Sequence, residues 1–213
     1  MNILFEDDYI LVCIKPCGLL SQSDSKGGES MISLLENHCG GSVYPIHRLD
    51  REVGGIMVYA KTKNSAAILS RDISEQKLKK EYIALVHGIP KEAKGKMVDL
   101  LFKDGGKNKS FVVKRERKGV KKASLQYETV NIKLFDNEPY SVVKILLHTG
   151  RTHQIRVQFS SRKIPLAGDR KYGAKDNFNN IGLWSYQLTF LHPLTKKVLT
   201  FSCEPENFIK DFM

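Results

Sequence analysis

The sequence predicts an α+β fold with a mixed, mostly antiparallel sheet and flanking helices. Segments with strand patterns outnumber segments with helical spacing, and they do not alternate as strict β-α-β repeats. Two long strand-like segments also follow each other across a short polar turn, which is typical of antiparallel pairing. With 213 residues, of which 41% are hydrophobic and 27% charged, the chain has the composition of a globular protein. We therefore predict a single domain over residues 1–213.

The first part of the chain alternates between apolar runs and helical spacing. Residues 9–16 form a short apolar run closed by a proline, and residues 55–62 form a second run rich in β-forming side chains. Residues 30–38 have the spacing of a helix with one apolar face. Asn64 is a candidate N-cap for a second helix that extends towards Ile73.

Strand patterns dominate the rest of the chain. Residues 81–90 read as a strand ended by glycine and proline, and residues 124–135 pair with residues 140–150 across the turn DNEP. Residues 152–163 have helical spacing, with Thr152 as the candidate cap. Two late β-rich runs predict a final hairpin.

The charge of the chain points to an anionic partner. Lys and Arg number 34 against 23 Asp and Glu, which gives a formal net charge of +11. The surplus is concentrated in residues 103–122, where nine basic residues accompany two acidic ones. We predict a mobile basic hairpin or loop that contacts a phosphate backbone. The alternative is a solvated surface loop.

Several functional classes are disfavoured by what the sequence lacks. No stretch reaches the roughly 18 apolar residues of a membrane helix, and the N-terminus lacks the features of a signal peptide, so we expect a cytoplasmic protein. His148 and His153 are five residues apart, which does not align them on one helix face, and no metal site is expected. The cysteines form neither a metal motif nor a plausible disulfide framework: Cys13, Cys17, Cys39 and Cys203.

The first candidate catalytic residues lie in the run YPIHRLDREVGG, residues 44–55. Asp50 follows Arg48 by two positions and precedes a glycine pair that permits tight backbone geometry. A kinase catalytic loop is rejected because a leucine separates the arginine from the aspartate and no phosphate loop is present. A serine hydrolase triad is not supported because no GxSxG motif occurs. A purely structural alternative is that Asp50 caps a turn and pairs with Arg48 or Arg51.

Two further polar clusters follow. In LLHTGRTHQIRVQF, residues 146–159, a glycine ends a strand and Arg151 stands at the N-terminus of the predicted helix, where anions are favoured. Arg156 follows five residues later. The alternative interpretation is a strand-to-helix turn whose arginines are simply exposed to solvent. Residues 164–173, IPLAGDRKYG, form a polar loop.

Taken together, these runs resemble the RluA-type RNA pseudouridine synthases. HRLDREVGG, KKEYIALVHG, HTGRTHQIRVQF, IPLAGDRKYG and LTFLHP occur in that family's order and spacing, from about residue 6 to residue 208. The resemblance implies a catalytic domain with a long antiparallel sheet and a central cleft, here without a preceding S4 domain. It also implies isomerisation of specific uridines in RNA to pseudouridine, without cofactor or metal.

The resemblance assigns roles to individual residues. Asp50 matches the catalytic aspartate, and Tyr82 matches the tyrosine packed against the target base. Arg151 matches the basic residue that pairs with the aspartate, and Arg48 matches the arginine that enters the space of the flipped nucleotide. Further substrate contacts are implied for His47, Leu49, Gly55, Thr149, Gly150, His153, Gln154 and Arg156.

One departure from the family pattern concerns the residues after the aspartate. Many relatives have Thr-Ser-Gly where this chain has Val53, Gly54 and Gly55. The glycine at position 55 is retained. The change affects fine substrate contacts rather than the reaction class.

The implied reaction is consistent with these residue types. Breaking the bond between N1 and C1′ of uridine develops positive charge on the sugar, which a carboxylate stabilises or attacks. The sequence leaves open whether Asp50 attacks C1′, adds to the uracil ring or acts as a base. The target base must be flipped out of its stack at a cost of about a few kcal/mol.

The expected partner is RNA, ribosomal or transfer, bound by a monomer that needs no protein partner and no membrane. Two alternatives belong to other classes. A catalytically silent RNA-binding protein would share the charge but would not need Asp50, Tyr82 and Arg151 together. A glycosidase-like hydrolase would explain Asp50 but not the basic segment.

Overall fold

A computed structural model describes residues 1–23, 27–206 and 208–213. These residues form two compact units. The first unit comprises Met1–Lys80 and Trp184–Glu204, and the second comprises Glu81–Leu183 and Pro205–Met213. The expectation that residues 1–213 act as one catalytic domain stays a prediction.

Strands outnumber helices in the described part of the chain. In chain order the strands are β1 (Asn2–Glu6), β2 (Ile10–Lys15), β3 (Tyr44–Pro45), β4 (Gly54–Ala60), β5 (Lys79–His87), β6 (Lys94–Asp104), β7 (Lys109–Val113), β8 (Val120–Phe135), β9 (Glu138–Leu147), β10 (Leu183–Leu191) and β11 (Val198–Ser202). The α-helices are α1 (Met31–Cys39), α2 (Lys63–Ser74) and α3 (Gln154–Ser160), and short 3₁₀ helices occupy Arg170–Tyr172 and Phe208–Phe212.

In the first unit the strands follow the order β1-β2-β4-β10, with β3 added to β4 and β11 to β10. The pairing of β4 with β10 is parallel, whereas β1–β2, β2–β4, β3–β4 and β10–β11 are antiparallel. Every residue of β2 and β4 is buried, as their apolar runs predict, and the burial includes the charged Lys15 at the end of β2. Val12 of β2, Val58 of β4, Leu69 of α2 and Phe190 of β10 share one hydrophobic core.

The glycine pair at the start of β4 is required by close packing. A side chain at Gly54 would collide with the indole ring of Trp184, and one at Gly55 would collide with the backbone of Ser185. These residues are direct partners in the parallel pairing of β4 with β10. Gly55 also has φ +117°, a conformation that other residues rarely adopt. The tight backbone geometry predicted for this pair is confirmed.

The helices of the first unit are capped by hydroxyl side chains. Ser30 caps α1 and forms a reciprocal capping box with Ser33. The cap of α2 is Thr62, whose side chain accepts a hydrogen bond from the Ser65 N–H. The prediction of Asn64 as the cap is therefore wrong by two residues, because the preceding strand ends at Ala60 and leaves Thr62 extended.

In the second unit the strands follow the order β5-β9-β8-β6-β7. The pairings β8–β9, β6–β8 and β6–β7 are antiparallel. Strands β8 and β9 are joined by Asp136 and Asn137, which both have positive φ, as a two-residue hairpin turn requires. The hairpin predicted across DNEP is confirmed, although β8 begins four residues earlier than residue 124.

The predicted α+β class with a mixed, mostly antiparallel sheet is confirmed. Helix α2 packs on β3 and β4, and α3 packs on β6 and β7, so both flank strands of their own unit. The described residues contain no helix with the length and hydrophobicity needed to cross a bilayer. The late hairpin is confirmed as β10–β11. Strands β1, β3 and β6 carry no clear sequence pattern and were not predicted.

Candidate active site and RNA-binding surface

Asp50 lies in a turn between β3 and β4 of the first unit. The Val53 N–H donates to the Asp50 carbonyl at 3.0 Å and closes the turn. Leu49 is 8% exposed and Val53 is 1% exposed, so both anchor the turn in the core. Between these anchors Asp50 is partly buried, and Arg48 is exposed. The backbone of the turn is thus fixed by the apolar residues on either side of Asp50.

Two polar residues that the sequence did not single out hold the Asp50 turn. The Ser21 hydroxyl donates to the Leu49 carbonyl at 2.9 Å and accepts from the Leu49 N–H at 3.0 Å. The Lys15 ammonium donates to the Arg51 carbonyl at 3.0 Å. Lys15 could have been noticed as the one charged residue in an otherwise apolar strand, but its partner 36 positions away could not.

His47, three residues before Asp50, is neutral at physiological pH. Burial lowers the pKa of its imidazole to about 3, and the positive charge of Lys80 acts in the same direction. Nε2 accepts a hydrogen bond from the Val58 N–H at 3.4 Å, which places the ring proton on Nδ1. In the described part of the chain, Nδ1 is buried without a hydrogen-bond partner. Its contact with substrate stays a prediction.

In the second unit, the side chain of Gln154 organises the loop that follows β9. Its Oε1 accepts from the Thr149 hydroxyl at 2.7 Å and from the Arg151 N–H at 3.1 Å. Its Nε2 donates to the Ser124 carbonyl at 3.1 Å, and the Ser124 N–H donates to the Thr149 hydroxyl at 2.9 Å. Thr149 and Gln154, predicted as substrate contacts, thus shape the loop that includes Gly150 and carries Arg151.

The start of α3 differs from the prediction. The N-cap is His153 rather than Thr152, with φ 51° and no side-chain capping bond. The Thr152 carbonyl instead accepts from the Ser110 hydroxyl at 2.6 Å, and Nδ1 of His153 lies 3.0 Å from the Tyr172 hydroxyl. Arg151 precedes the cap by two residues, is exposed, and donates from Nε to the Lys122 carbonyl at 3.1 Å.

Arg156 does not lie on an exposed face of α3. Its guanidinium makes two hydrogen bonds to the Asp169 carboxylate, at 2.7 and 2.9 Å, with both side chains buried. It also lies over the Tyr172 ring, 5.1 Å from its centroid. An exposed arginine is therefore the wrong interpretation, because this helix is buried along almost its whole length. The geometry gives Arg156 a structural role, and its substrate contact stays a prediction.

Tyr82 lies on β5, in the second unit. It is 5% exposed and belongs to a run of five consecutive buried residues in that strand. A buried aromatic ring on a strand is held in a fixed orientation, which suits a residue that packs against a base. Its role as the base-stacking tyrosine stays a prediction.

The basic segment, residues 103–122, contains the hairpin turn between β6 and β7 and a second connection, residues 114–119, that leads into β8. Lys103 at the end of β6 pairs with Ser110 on β7, and the chain then turns into β8. Arg117 lies over the Phe102 ring, 4.6 Å from its centroid. Eight of the nine basic side chains are exposed, and Lys109 is partly buried. The segment therefore presents eight exposed cations, on the strands and on the two connections between them.

Comparison with known proteins decides the family. Residues 9–161 match the sequence profile described as RNA pseudouridylate synthase. An uncharacterized RNA pseudouridine synthase of Aquifex aeolicus is 34% identical over 98% of this chain and 71% of its own length. This chain belongs to the RNA pseudouridylate synthase family. The prediction of an RNA pseudouridine synthase, an isomerase, is confirmed.

Other relatives carry more specific names. Ribosomal large subunit pseudouridine synthase C of one Buchnera aphidicola strain is 36% identical over 92% of this chain and 64% of its own length. tRNA pseudouridine synthase C of Pasteurella multocida is 28% identical over 94% of this chain and 89% of its own length. All the residues assigned from the RluA-type resemblance lie within the matched segment, residues 9–161.

Solved structures support the fold. Human RNA pseudouridylate synthase domain containing 1 superposes with a TM-score of 0.79 over 96% of this chain and 83% of its own, at 21% identity. Human RNA pseudouridylate synthase domain containing 4 gives a TM-score of 0.78 over 98% of this chain and 90% of its own, at 23% identity.

Proposed function

We propose that this protein converts specific uridines of structured ribosomal or transfer RNA to pseudouridine, with Asp50 as the catalytic carboxylate. The observation that carries the proposal is the Asp50 turn: a partly buried aspartate and an exposed arginine belong to a backbone segment anchored by Leu49 and Val53. A carboxylate must be held in one orientation to act on C1′ or on the uracil ring, and a fixed backbone provides this. Family membership supplies the reaction class.

Tyr82 and Arg151 are proposed to complete the chemistry. Tyr82 holds the detached uracil by stacking while it turns, and its phenol is available for proton transfer at C5. Arg151 is presented on a loop whose shape Gln154 fixes, with an exposed guanidinium. A guanidinium stabilises the ionised form of a carboxylate and orients it, which is the role the resemblance gives Arg151.

RNA binding is proposed to involve Arg48 and the basic hairpin. Arg48 is exposed beside Asp50 in the sequence and fits the role of filling the space left by a flipped base. The exposed cations of residues 103–122 fit contact with successive phosphates. We propose that the protein acts as a cytoplasmic monomer without a protein partner.

The names of the relatives define the RNA substrates to be tested. Related proteins are named for the ribosomal large subunit and for tRNA, so both substrate classes are proposed. The experiment incubates the protein with in vitro transcripts of large-subunit ribosomal RNA and of tRNAs, then digests them and separates nucleosides and free bases. Pseudouridine in one transcript class supports the proposal and identifies the substrate.

Two results of the same assay would contradict the proposal. Free uracil without pseudouridine would indicate a glycosidase-like hydrolase. Tight RNA binding with neither product, in both transcript classes and in RNA from cells lacking the gene, would indicate a catalytically silent RNA-binding protein.

A further inference from the structure

The three strands β6, β7 and β8 have two unlike faces where they pair in the second unit. On one face, Leu101 of β6 is 3% exposed and shares a hydrophobic core with Ala123 of β8, Val157 of α3 and Tyr172. Helix α3 therefore packs on this face.

The opposite face carries apolar side chains that remain in contact with solvent. Phe102 of β6 is the direct partner of both Phe111 on β7 and Val120 on β8. Direct partners in antiparallel strands point to the same face, and so do alternate residues along one strand. None of the residues on this face is fully buried, and Val98 and Phe111 are 46% and 37% exposed. By this rule the face, called the outer face below, comprises Val98, Leu100, Phe102, Phe111, Val113 and Val120.

Cations surround the two aromatic rings of the outer face. The Arg117 guanidinium lies over the Phe102 ring, 4.6 Å from its centroid, and the Lys109 ammonium lies 5.9 Å from the centroid of the Phe111 ring. Lys122, the direct partner of Leu100, is exposed on the same face. The outer face therefore combines exposed aromatic surface with positive charge.

This combination decides between the possible occupants of the outer face. A second copy of the chain, with its formal net charge of +11, would bring like charges together around the aromatic rings. A single-stranded RNA satisfies both features, because its bases stack on aromatic rings while its phosphates contact Lys and Arg. A duplex offers only the phosphates, since its bases are stacked on each other.

We propose that the outer face binds unpaired bases of RNA, with Phe111 as the stacking residue and with Phe102 and Arg117 beside it. This inference rests on the proposed RNA substrate and deepens it, because it makes single-stranded nucleotides part of what the protein recognises. It also gives the basic segment a second role, in which aromatic rings select unpaired RNA and the cations add affinity for any RNA.

The test measures binding to an unstructured oligocytidine and to an RNA duplex of the same length. Oligocytidine contains no uridine, so turnover cannot affect the result. Phe111→Ala and Phe111→Leu should each weaken binding of the single strand by about tenfold and change duplex binding little. Phe111→Trp should retain wild-type affinity, because it keeps an aromatic ring. The control Leu134→Ala removes a side chain that is 75% exposed in the same unit and should bind like wild type.

The salt dependence separates stacking from phosphate contact. Phe111→Ala removes no charge, so its log–log salt slope for the single strand should equal that of wild type. Lys114→Ala should make that slope shallower by about 0.7. A shallower slope in Phe111→Ala would contradict stacking as the cause of its loss of affinity.

Photocrosslinking tests the wild-type protein directly and does not depend on whether a variant folds. An oligocytidine that carries one 5-iodocytidine is irradiated on the protein, and the crosslinked peptide is identified by mass spectrometry. We expect the crosslink at Phe111 or Phe102. Crosslinks found only outside the outer face would contradict the proposal.

The outcomes also separate this inference from the proposed enzymatic activity. If wild type makes no pseudouridine but oligocytidine binding depends on the ring at position 111, the activity fails and the stacking surface stands. If the protein is active but Phe111→Leu binds oligocytidine as tightly as wild type, the stacking surface is wrong and the activity stands. A wild-type dimer that Phe111→Ala dissociates would assign the outer face to a second copy and overturn the inference.

Discussion

The Asp50 turn and the basic hairpin are built in opposite ways. In the turn, residues 46–53, the backbone is held by buried leucine and valine side chains and by the Ser21 hydroxyl and the Lys15 ammonium. In the basic hairpin, residues 103–122, the pairing of β6 with β7 and with β8 holds the strand residues, and almost all the basic side chains are exposed. The first region fixes one carboxylate, whereas the second presents many equivalent charges.

This difference indicates what each region can contribute to an RNA-modifying enzyme. Chemistry at one carbon atom needs a group held to a fraction of an ångström, so a change at one residue can abolish it. Binding to a phosphate backbone is a sum of similar, screened contacts, so losses there accumulate gradually. We therefore expect changes in the turn to reduce turnover and changes in the hairpin to reduce affinity.

The largest effect is expected from Asp50→Asn. The substitution keeps shape and removes the ionised carboxylate, so the protein should fold and bind RNA but give no detectable pseudouridine. The matched control is Glu52→Gln, which neutralises an exposed carboxylate in the same turn and should retain activity. Pseudouridine formed by verified Asp50→Asn, free of wild type and of deamidation, would remove Asp50 from its role.

Arg151→Ala should lower kcat by about 100-fold with a smaller change in RNA affinity. The guanidinium is proposed to orient the carboxylate, and its loss would leave that charge uncompensated. Lys91→Ala, which removes an exposed cation of the second unit, serves as the control. Full turnover at saturating RNA with weakened binding would make Arg151 a phosphate contact instead.

Tyr82→Phe should retain stacking and RNA binding but lower turnover by about 100-fold, because the phenol is lost as a proton-transfer group. Tyr82→Ala should also disturb the packing around β5. Tyr127→Phe removes a phenol that donates to the Glu92 carbonyl and should leave turnover unchanged. Wild-type turnover in Tyr82→Phe would show that only the ring matters.

The smallest effect on turnover is expected from neutralising four exposed cations of the hairpin. The RNA concentration for half-saturation should rise, the saturated rate should stay near wild type, and each lost contact should make the log–log salt slope shallower by about 0.7 to 0.9. The variant combines alanine at Lys114, Arg115, Arg117 and Lys118. A control with the same loss of charge combines alanine at Lys63, Arg71, Lys91 and Lys197.

The two four-residue variants separate local contact from net charge. If both weaken binding equally, the hairpin acts only through the overall charge of the protein. If neither changes affinity or salt slope, the hairpin is a solvated surface and the RNA path must be sought elsewhere, for example around Arg170 and Lys171.

Much of the fold could be predicted because its signals are local. The buried runs of β2 and β4 and the turn at Asp136 and Asn137 are visible in short stretches of sequence. Strands β3 and β6 were missed because the first is two residues long and the second is largely polar. The cap of α2 was misplaced because Thr62 and Asn64 are both good caps, and the end of β4 selects between them.

The site was predictable only in part, because some of its contacts join residues that are far apart in the sequence. The motif around Asp50 is contiguous, so the family resemblance could propose it as the catalytic site from sequence alone. The residues that hold the turn, Lys15 and Ser21, contact it from 36 and 28 positions away. Arg156 was predicted as a substrate contact, with an exposed arginine as the alternative. Neither interpretation included its buried partner, Asp169, which lies 13 residues further along the chain. Contacts of this kind depend on tertiary packing, which a single sequence does not display.

The central claim is that the Asp50 turn carries the chemistry and the basic hairpin carries affinity. Single-turnover formation of pseudouridine, followed over a range of enzyme concentrations with one RNA, tests it most directly in wild type, Asp50→Asn and the hairpin variant. The account predicts no product from Asp50→Asn at any concentration, and a hairpin variant that reaches the wild-type rate once RNA is saturated. Product from Asp50→Asn, or a hairpin variant that stays slow at saturation, would contradict it.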